Sequence, residues 1–436
     1  MIFSLINKLQ HSIFILNSIL IGLRMSAGKT NGKGLSSALT AVLIVVALVV
    51  GLAIGAFAVG PTMGQTVTVT RQQTVTVGGA AQTVTATAVV TTSVVRTVTA
   101  PGKTPFSDLK VLLILPIDEK DNSWNRAAFD AVMKLRDLYG FEVSVERNLF
   151  DGTKAEPYAV DYARRGYQII IGQGIQYMVM FHKIAPQFPN TMFICVDCAP
   201  GLVGAFEPGT PVAPNVYNIW MTLGEGMFLM GYAAGKLTKT NKIGVVGGGR
   251  VPSIWEGHEA FKLGARLANP NVEVLEAYMP LSWADVAGAK KAAESMIAAG
   301  ADVVSASGDG IDVGVTEAAI EKGVWTSTVY ADLPSLRPDV QKLIGSIVFR
   351  WDIVFDAAIK DYVRGTWKNG FLTATMASGI VTISLGKNVP ADVKNEVMKL
   401  YNAILEGRLK ITFDYSCFDN PDQAKCKPTA AIAHGL

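Results

Sequence analysis

Between Asp108 and Thr412 the chain repeats one scheme. A short uninterrupted apolar run is followed by a longer segment whose apolar residues recur every three or four positions. "LKVLLILPI" (109–117) has no polar residue between Val111 and Leu115, as a strand needs when both faces of a parallel sheet are covered. "SWNRAAFDAVMKLRDLYG" (123–140) has helical spacing and ends on a glycine stop. Then follow "FEVSVER", a helix through "AVDYARRG", the strand "YQIIIGQG", a helix through "YMVMFHKIAPQF" and the strand "TMFICVD". Strands alternating with helices imply parallel pairing through crossovers, the α/β class.

The scheme restarts at "GEGMFLMGYAAGKLTKT" (224–240) and "KIGVVGG" (242–248). "VEVLEAYM", "ADVVSASGDG", "WTSTVYAD", "GSIVFRWD" and "GIVTISL" supply further strands, and "PADVKNEVMKLYNAILEG" a last helix. We expect two Rossmann-like lobes joined by a hinge within a binding domain of residues 106–436. Lobe 1 takes residues 106–222 plus 350–381, and lobe 2 takes 223–349 plus 382–412. Ligands of open α/β sheets bind outside the carboxyl ends of the strands, so a cleft is expected between the two sheets.

"KIGVVGGGRVPSI" (242–254) raises a cofactor question, because glycines after an apolar strand can cradle a phosphate. A dinucleotide fingerprint would read G-x-G-x-x-G with an acidic residue about 20 positions on. Here the glycines are consecutive, Pro252 and Trp255 stand where the third should be, and Glu273 falls within an ordinary strand. The turn is read as structural, and no cofactor is expected.

The N-terminus has another character. Leu39 to Val59 is an uncharged apolar run of 21 residues, long enough to cross a bilayer core as a helix. Arg24, Lys29 and Lys33 precede it and no charge follows before Arg71, which places residues 1–38 in the cytoplasm and the rest outside. A signal peptide cut after "AFA" (56–58) is the competing reading, and Met25 offers an alternative start. Residues 60–105, rich in alternating Thr and Val, read as a low-complexity stalk open to O-glycosylation, with a β-hairpin as the alternative. The expected location is the cell membrane, single-pass, with the binding domain outside.

Thirty-nine Lys and Arg against 36 Asp and Glu leave a net charge of +3, no footprint for nucleic acid. Cys417 and Cys426 bracket the polar loop "CFDNPDQAKC" and are the candidate disulfide. Cys195 and Cys198 in "FICVDCAP" have redox-motif spacing at the end of a strand; structural disulfides or buried thiols are favoured over a four-cysteine zinc site. Only His182 and His258 lie inside the α/β region, and no G-x-S-x-G, H-E-x-x-H or P-loop occurs. No enzyme is expected. The alternatives are a nucleoside hydrolase built on Asp121, Asp309 and Asp332, and a sensory solute receptor.

Several stretches carry a family resemblance over nearly all of residues 108–412. Asp121-Asn122-Ser123-Trp124-Asn125, "GEGMFLMGYAAGKLTKTNKIGVVGG", "SWADVAGAKKAAESMIAAGADVV", "ADLPSL" and "GSIVFRW" resemble the basic membrane protein family of ABC-transporter substrate-binding proteins, which includes the purine nucleoside receptor. The resemblance implies the type I periplasmic-binding-protein fold, hinge closure on a small molecule such as a purine nucleoside, and an ABC permease with its ATPase as partners. It places ligand contacts at Asp121 and Asn125, with Phe129 and Trp283 sandwiching a flat ring, and at Gly308, Asp309 and Asp332 past two strand ends. Gln176 and Trp255 are further candidates, and Arg350 stands where the family has a lysine. Each also has a structural reading: Asp121 and Asp332 as helix caps, and Phe129, Trp255 and Trp283 as packing residues.

Overall fold

The computed structural model describes residues 67–77, 80–90, 105–199, 212–280, 283–415, 418 and 429–432. The apolar run 39–59 and both Cys417 and Cys426 lie outside the described residues. Among the described residues no helix is long and apolar enough to cross a membrane. The chain divides into two compact units, residues 1–100 and 101–436.

In the first unit, β1 (Val67–Val77) and β2 (Ala80–Val90) pair antiparallel, with Val67 opposite Val90 and Val77 opposite Ala80. The alternation of Thr and Val has the period of a strand.

The second unit holds two six-stranded sheets. The first is built from β3 (Lys110–Ile114), β4 (Glu142–Glu146), β5 (Ile169–Gln173), β6 (Met192–Val196) and β7 (Val216–Met221). Its helices are α1 (Trp124–Tyr139), α2 (Gly152–Arg164) and α3 (Met178–Ile184). All its neighbouring strands run parallel. β3, β5 and β6 bury nearly every residue, which accounts for their unbroken apolar sequences.

The chain then enters lobe 2 through α4 (Gly224–Leu237), nearly all of whose residues are buried. A helix apolar all round belongs inside a core. The second sheet follows as β8 (Lys242–Gly247), β9 (Glu273–Tyr278), β10 (Val303–Ser307), β11 (Trp325–Tyr330) and β12 (Leu343–Phe349). Between these strands lie α5 (Pro252–Ala268), α6 (Val286–Ala298), α7 (Asp309–Lys322) and the single turn α8 (Leu333–Leu336). After β12 the chain recrosses, and α9 (Trp351–Arg364) packs on α1 while β13 (Gly370–Ala374) joins the first sheet beside β7. β14 (Val381–Leu385) returns to pair antiparallel with β12, and α10 (Ala391–Leu405) closes lobe 2. β15 (Leu409–Thr412) pairs with β16 (Thr429–Ile432).

Three segments therefore cross between the lobes, and they bond to one another. Thr222 N–H donates to Ala374 O (3.3 Å), Met376 N–H to the Glu225 carboxylate (2.7 Å), and Arg350 N–H to Ile380 O (2.7 Å). One apolar core runs through both lobes behind this hinge, while the other faces of the sheets carry their own clusters.

Candidate functional site

The carboxyl ends of the two sheets face one cleft, which in this conformation holds about 30 Å³ of free space. That is room for about two waters, well short of the roughly 300–1,000 Å³ of a small-molecule pocket, so the lobes stand closed on one another in this structure. Lobe 1 supplies Trp124 from the start of α1, Gln176 past the end of β5 and Asp197 past the end of β6. Lobe 2 supplies Trp283 ahead of α6, Asp309 at the start of α7 and Tyr330 at the end of β11. No Lys or Arg is among the lining residues described.

Two glycines shape the lobe 2 wall. Gly308 has φ +147°, a conformation that L side chains rarely adopt, and it turns the chain sharply from β10 into α7 so that Asp309 meets the cleft. Gly248 lies under the Trp283 ring: a Cβ there would stand 2.5 Å from Trp283 Cε3. The glycine-rich turn thus serves as a seat for an aromatic side chain, in accord with its structural reading.

The lobes are tied across the cleft by hydrogen bonds. Ser123 Oγ donates to Asp312 Oδ2 (2.5 Å), Asn125 Nδ2 to Asp309 Oδ2 (3.3 Å), and Ser253 Oγ to Asp197 Oδ2 (3.5 Å). Burial pushes the Asp197, Asp309 and Asp312 carboxyls well above the ordinary carboxylate range, and for Asp309 the nearby Asp121 adds to the effect. Glu256, beneath the hinge, is pushed up to about 8 by burial. Among the described residues, the buried Gln176 Nε2, Asp197 Oδ1, Asn125 Oδ1 and Asp312 Oδ1 at the site have no hydrogen-bond partner. Such groups cost free energy unless a ligand or water meets them.

The expected site residues divide into two sets. Gln176, Trp283 and Asp309 line the cleft, Gly308 positions Asp309, and Asn125 bridges to Asp309. Asp121 is the cap of α1, taking backbone N–H groups from Ser123, Asn125 and Arg126 and the Asn125 side-chain amide. The remaining candidates sit elsewhere. Phe129 comes five residues after Trp124, about 140° round the helix, and packs under the Arg147 guanidinium, 5.7 Å from its ring centre. Trp255 is buried against Tyr415 and Phe418. Asp332 caps α8 through Ser335, and Arg350 is held bidentate by Asp352. Both line a separate groove beside α1. The aromatic ring that lobe 1 brings to the cleft is Trp124, inside the motif "DNSWN" but passed over for Phe129. Asp197 and Tyr330 were also missed, although each stands at the carboxyl end of a buried strand, where the α/β rule directs attention.

Cys195 and Cys198 form a disulfide at the end of β6. This settles their pairing as structural, one of the readings their spacing allowed.

Lobe 2 also contains a Ser–His–Glu chain. Ser307 Oγ lies 2.8 Å from His258 Nε2, and His258 Nδ1 lies 3.0 Å from Glu276 Oε1. The carboxylate fixes the ring proton on Nδ1, leaving Nε2 to accept from the serine, and burial lowers the His258 pKa. Ser307 and His258 are wholly buried, so no substrate carbonyl reaches the hydroxyl in this conformation.

Comparison with known proteins follows the same lines. Residues 109–413 match the family model of PnrA-like ABC transporter substrate-binding proteins. A purine-binding protein of Brucella abortus is 26% identical over 303 residues, covering 69% of this chain and 82% of its own. The nucleoside-binding protein BmpA of Lactococcus lactis is 24% identical over 326 residues, covering 70% of this chain and 89% of its own. An ABC-transporter solute-binding protein from Aeropyrum pernix superposes with a TM-score of 0.59 at 21% identity, over 71% of this chain and 95% of that one, a likeness of fold. With the family model matched over residues 109–413, the chain belongs to the PnrA-like ABC transporter substrate-binding proteins.

Proposed function

We propose that the cleft captures an uncharged purine nucleoside and that the chain delivers it to an ABC permease and its ATPase. The observation that carries the reading is the convergence of Trp124, Trp283 and Tyr330 with Asp197, Asp309 and Gln176 in a cleft lined by no described cation. Flat rings stack on indoles, while carboxyl and amide groups meet hydroxyls and ring nitrogens. Buried carboxyl groups without a compensating cation disfavour a phosphate on the ligand. Because each lobe supplies half of the contacts, a ligand touching both stabilises the closed form, which is how binding drives hinge closure. Residues 39–59 would anchor this domain outside the membrane, with residues 60–105 as the spacer.

Isothermal titration of the full chain with adenosine, guanosine, guanosine monophosphate and glucose tests the reading. A nucleoside should bind, its monophosphate at least about tenfold more weakly, and glucose not measurably. Equal binding of guanosine and its monophosphate would remove the argument from charge. Binding of glucose alone would remove the argument from stacking.

A further inference from the structure

Asp197 occupies an unusual place. It sits inside the four-residue ring closed by the Cys195–Cys198 disulfide, with both cysteines wholly buried. Its backbone is left-handed, φ +61°, a region that Asp visits more readily than most residues but that needs a local reason. Cys198 N–H donates to Ile219 O (2.9 Å), which pins the far side of the ring to β7. The Asp197 side chain is 6% exposed and lines the cleft, with Oδ1 unpartnered and Oδ2 toward Ser253 of the other lobe. An ordinary strand end would leave this backbone free to swing. The Cys195–Cys198 cross-link restricts the backbone of the two residues it encloses, Val196 and Asp197.

We propose that the Cys195–Cys198 disulfide is a positioning element of the ligand cleft: it holds Asp197 in the left-handed conformation that presents Oδ1 to the ligand. Affinity then depends on the intact bond through Asp197, and the disulfide acts locally at the site. The inference rests on the cleft being the ligand site, and its test separates the two.

The full chain and its Cys195→Ala/Cys198→Ala variant are titrated with guanosine, with and without Asp197→Asn. Loss of a hydrogen bond to a charged or strongly polar carboxyl is worth on the order of tenfold or more in affinity. We expect that loss in the double-cysteine variant with a melting temperature close to that of the unaltered chain. Asp197→Asn should cost a similar factor alone and less than about twofold when added to the cysteine changes, because both act through one group. Unchanged affinity in the cysteine variant, or fully additive losses, overturns the proposal. So does failure of the variant to fold, which makes the bond a general staple. The same titration on folded chain reduced by a phosphine gives a second reading without new side chains. The phosphine takes up oxygen from water and leaves two thiols, and unfolding or unchanged affinity on reduction counts against the proposal. If the unaltered chain binds no nucleoside, that reading fails by itself. Crystal structures of the two forms then decide the inference. Asp197 keeping its left-handed backbone and its place beside Ser253 without the disulfide overturns it, and departure from both supports it.

Discussion

Gly248→Ala should weaken nucleoside binding although Gly248 offers no side chain to a ligand. The added methyl carbon would lie 2.5 Å from Trp283 Cε3, 2.8 Å from Cζ3 and 3.3 Å from Ile311 Cγ1. Carbon atoms in ordinary contact stand about 3.5 Å apart or more, so the indole must retreat by about 1 Å. Gly248 does not adopt a left-handed backbone, so alanine fits its main-chain conformation and the disturbance falls on the ring. The indole lines the cleft, so a shift of the ring alters the cleft wall. Stacking of a base on an aromatic side chain is worth about 1–3 kcal/mol, and a displaced ring forfeits a large part of it. We therefore expect about a five- to fiftyfold loss of guanosine affinity by titration calorimetry. Trp283→Ala should bring a comparable loss, and adding Gly248→Ala to it should cost almost nothing, since the methyl then has no ring to displace. A Gly248→Ala chain with full affinity, or losses that add in the double variant, would refute the idea that the glycine turn exists to seat Trp283.

Two other outcomes follow from the same geometry. Glu256 is pushed from 4.5 to about 8 by burial, while the Gly224 N–H and the Tyr415 hydroxyl both donate to it. A carboxyl whose pKa is higher in the folded chain contributes stability below its unfolded value, and that contribution is lost as pH rises through the folded one. Unfolding free energy should thus fall between pH 4.5 and 8, by at most about 5 kcal/mol for this group, and Glu256→Gln should flatten the slope in urea titrations; equal slopes would exclude Glu256 as its source. Asp332→Ala should leave nucleoside affinity unchanged and lower stability by about 1 kcal/mol through loss of the α8 cap, and any loss of affinity would return Asp332 to the site.

What the sequence made legible was periodic. Unbroken apolar runs such as Ile169–Ile171 placed the buried strands, and Gly140 marked the end of α1 with the left-handed backbone a helix stop needs. The division into two sheets was legible too, because the strand–helix scheme restarts at Gly224. Side-chain direction was not. Phe129 and Trp124 stand in the same helix, and which ring turns to the cleft depends on where α1 starts; Asp121, four N–H bonds deep in the cap, fixes that start. A sequence shows an aromatic pair and an acidic residue nearby, but the phase of the helix relative to the sheet is a tertiary fact. The Cys195–Cys198 pairing was equally hidden, since two cysteines at that spacing read alike as thiols, ligands or a bridge.

Asp332 stands outside the cleft for one local reason. The family resemblance places a ligand contact at Asp332, just past the end of β11. Tyr330 has φ +74°, a conformation that costs a bulky residue on the order of 1–3 kcal/mol unless its surroundings impose it. The surroundings do: its ring lies edge-on to Trp124 at 4.8 Å and 5.7 Å from Phe349, wholly inside the space between the lobes. Turning the chain at Tyr330 puts an aromatic ring on the cleft and carries Asp332 round to the groove beside α1, where it caps α8. Tyr330 borders both openings, so the wall between cleft and groove is this one strained residue. The strain sits where a binding protein tolerates it, at the point where lobe 2 presents its surface to lobe 1 and to the ligand.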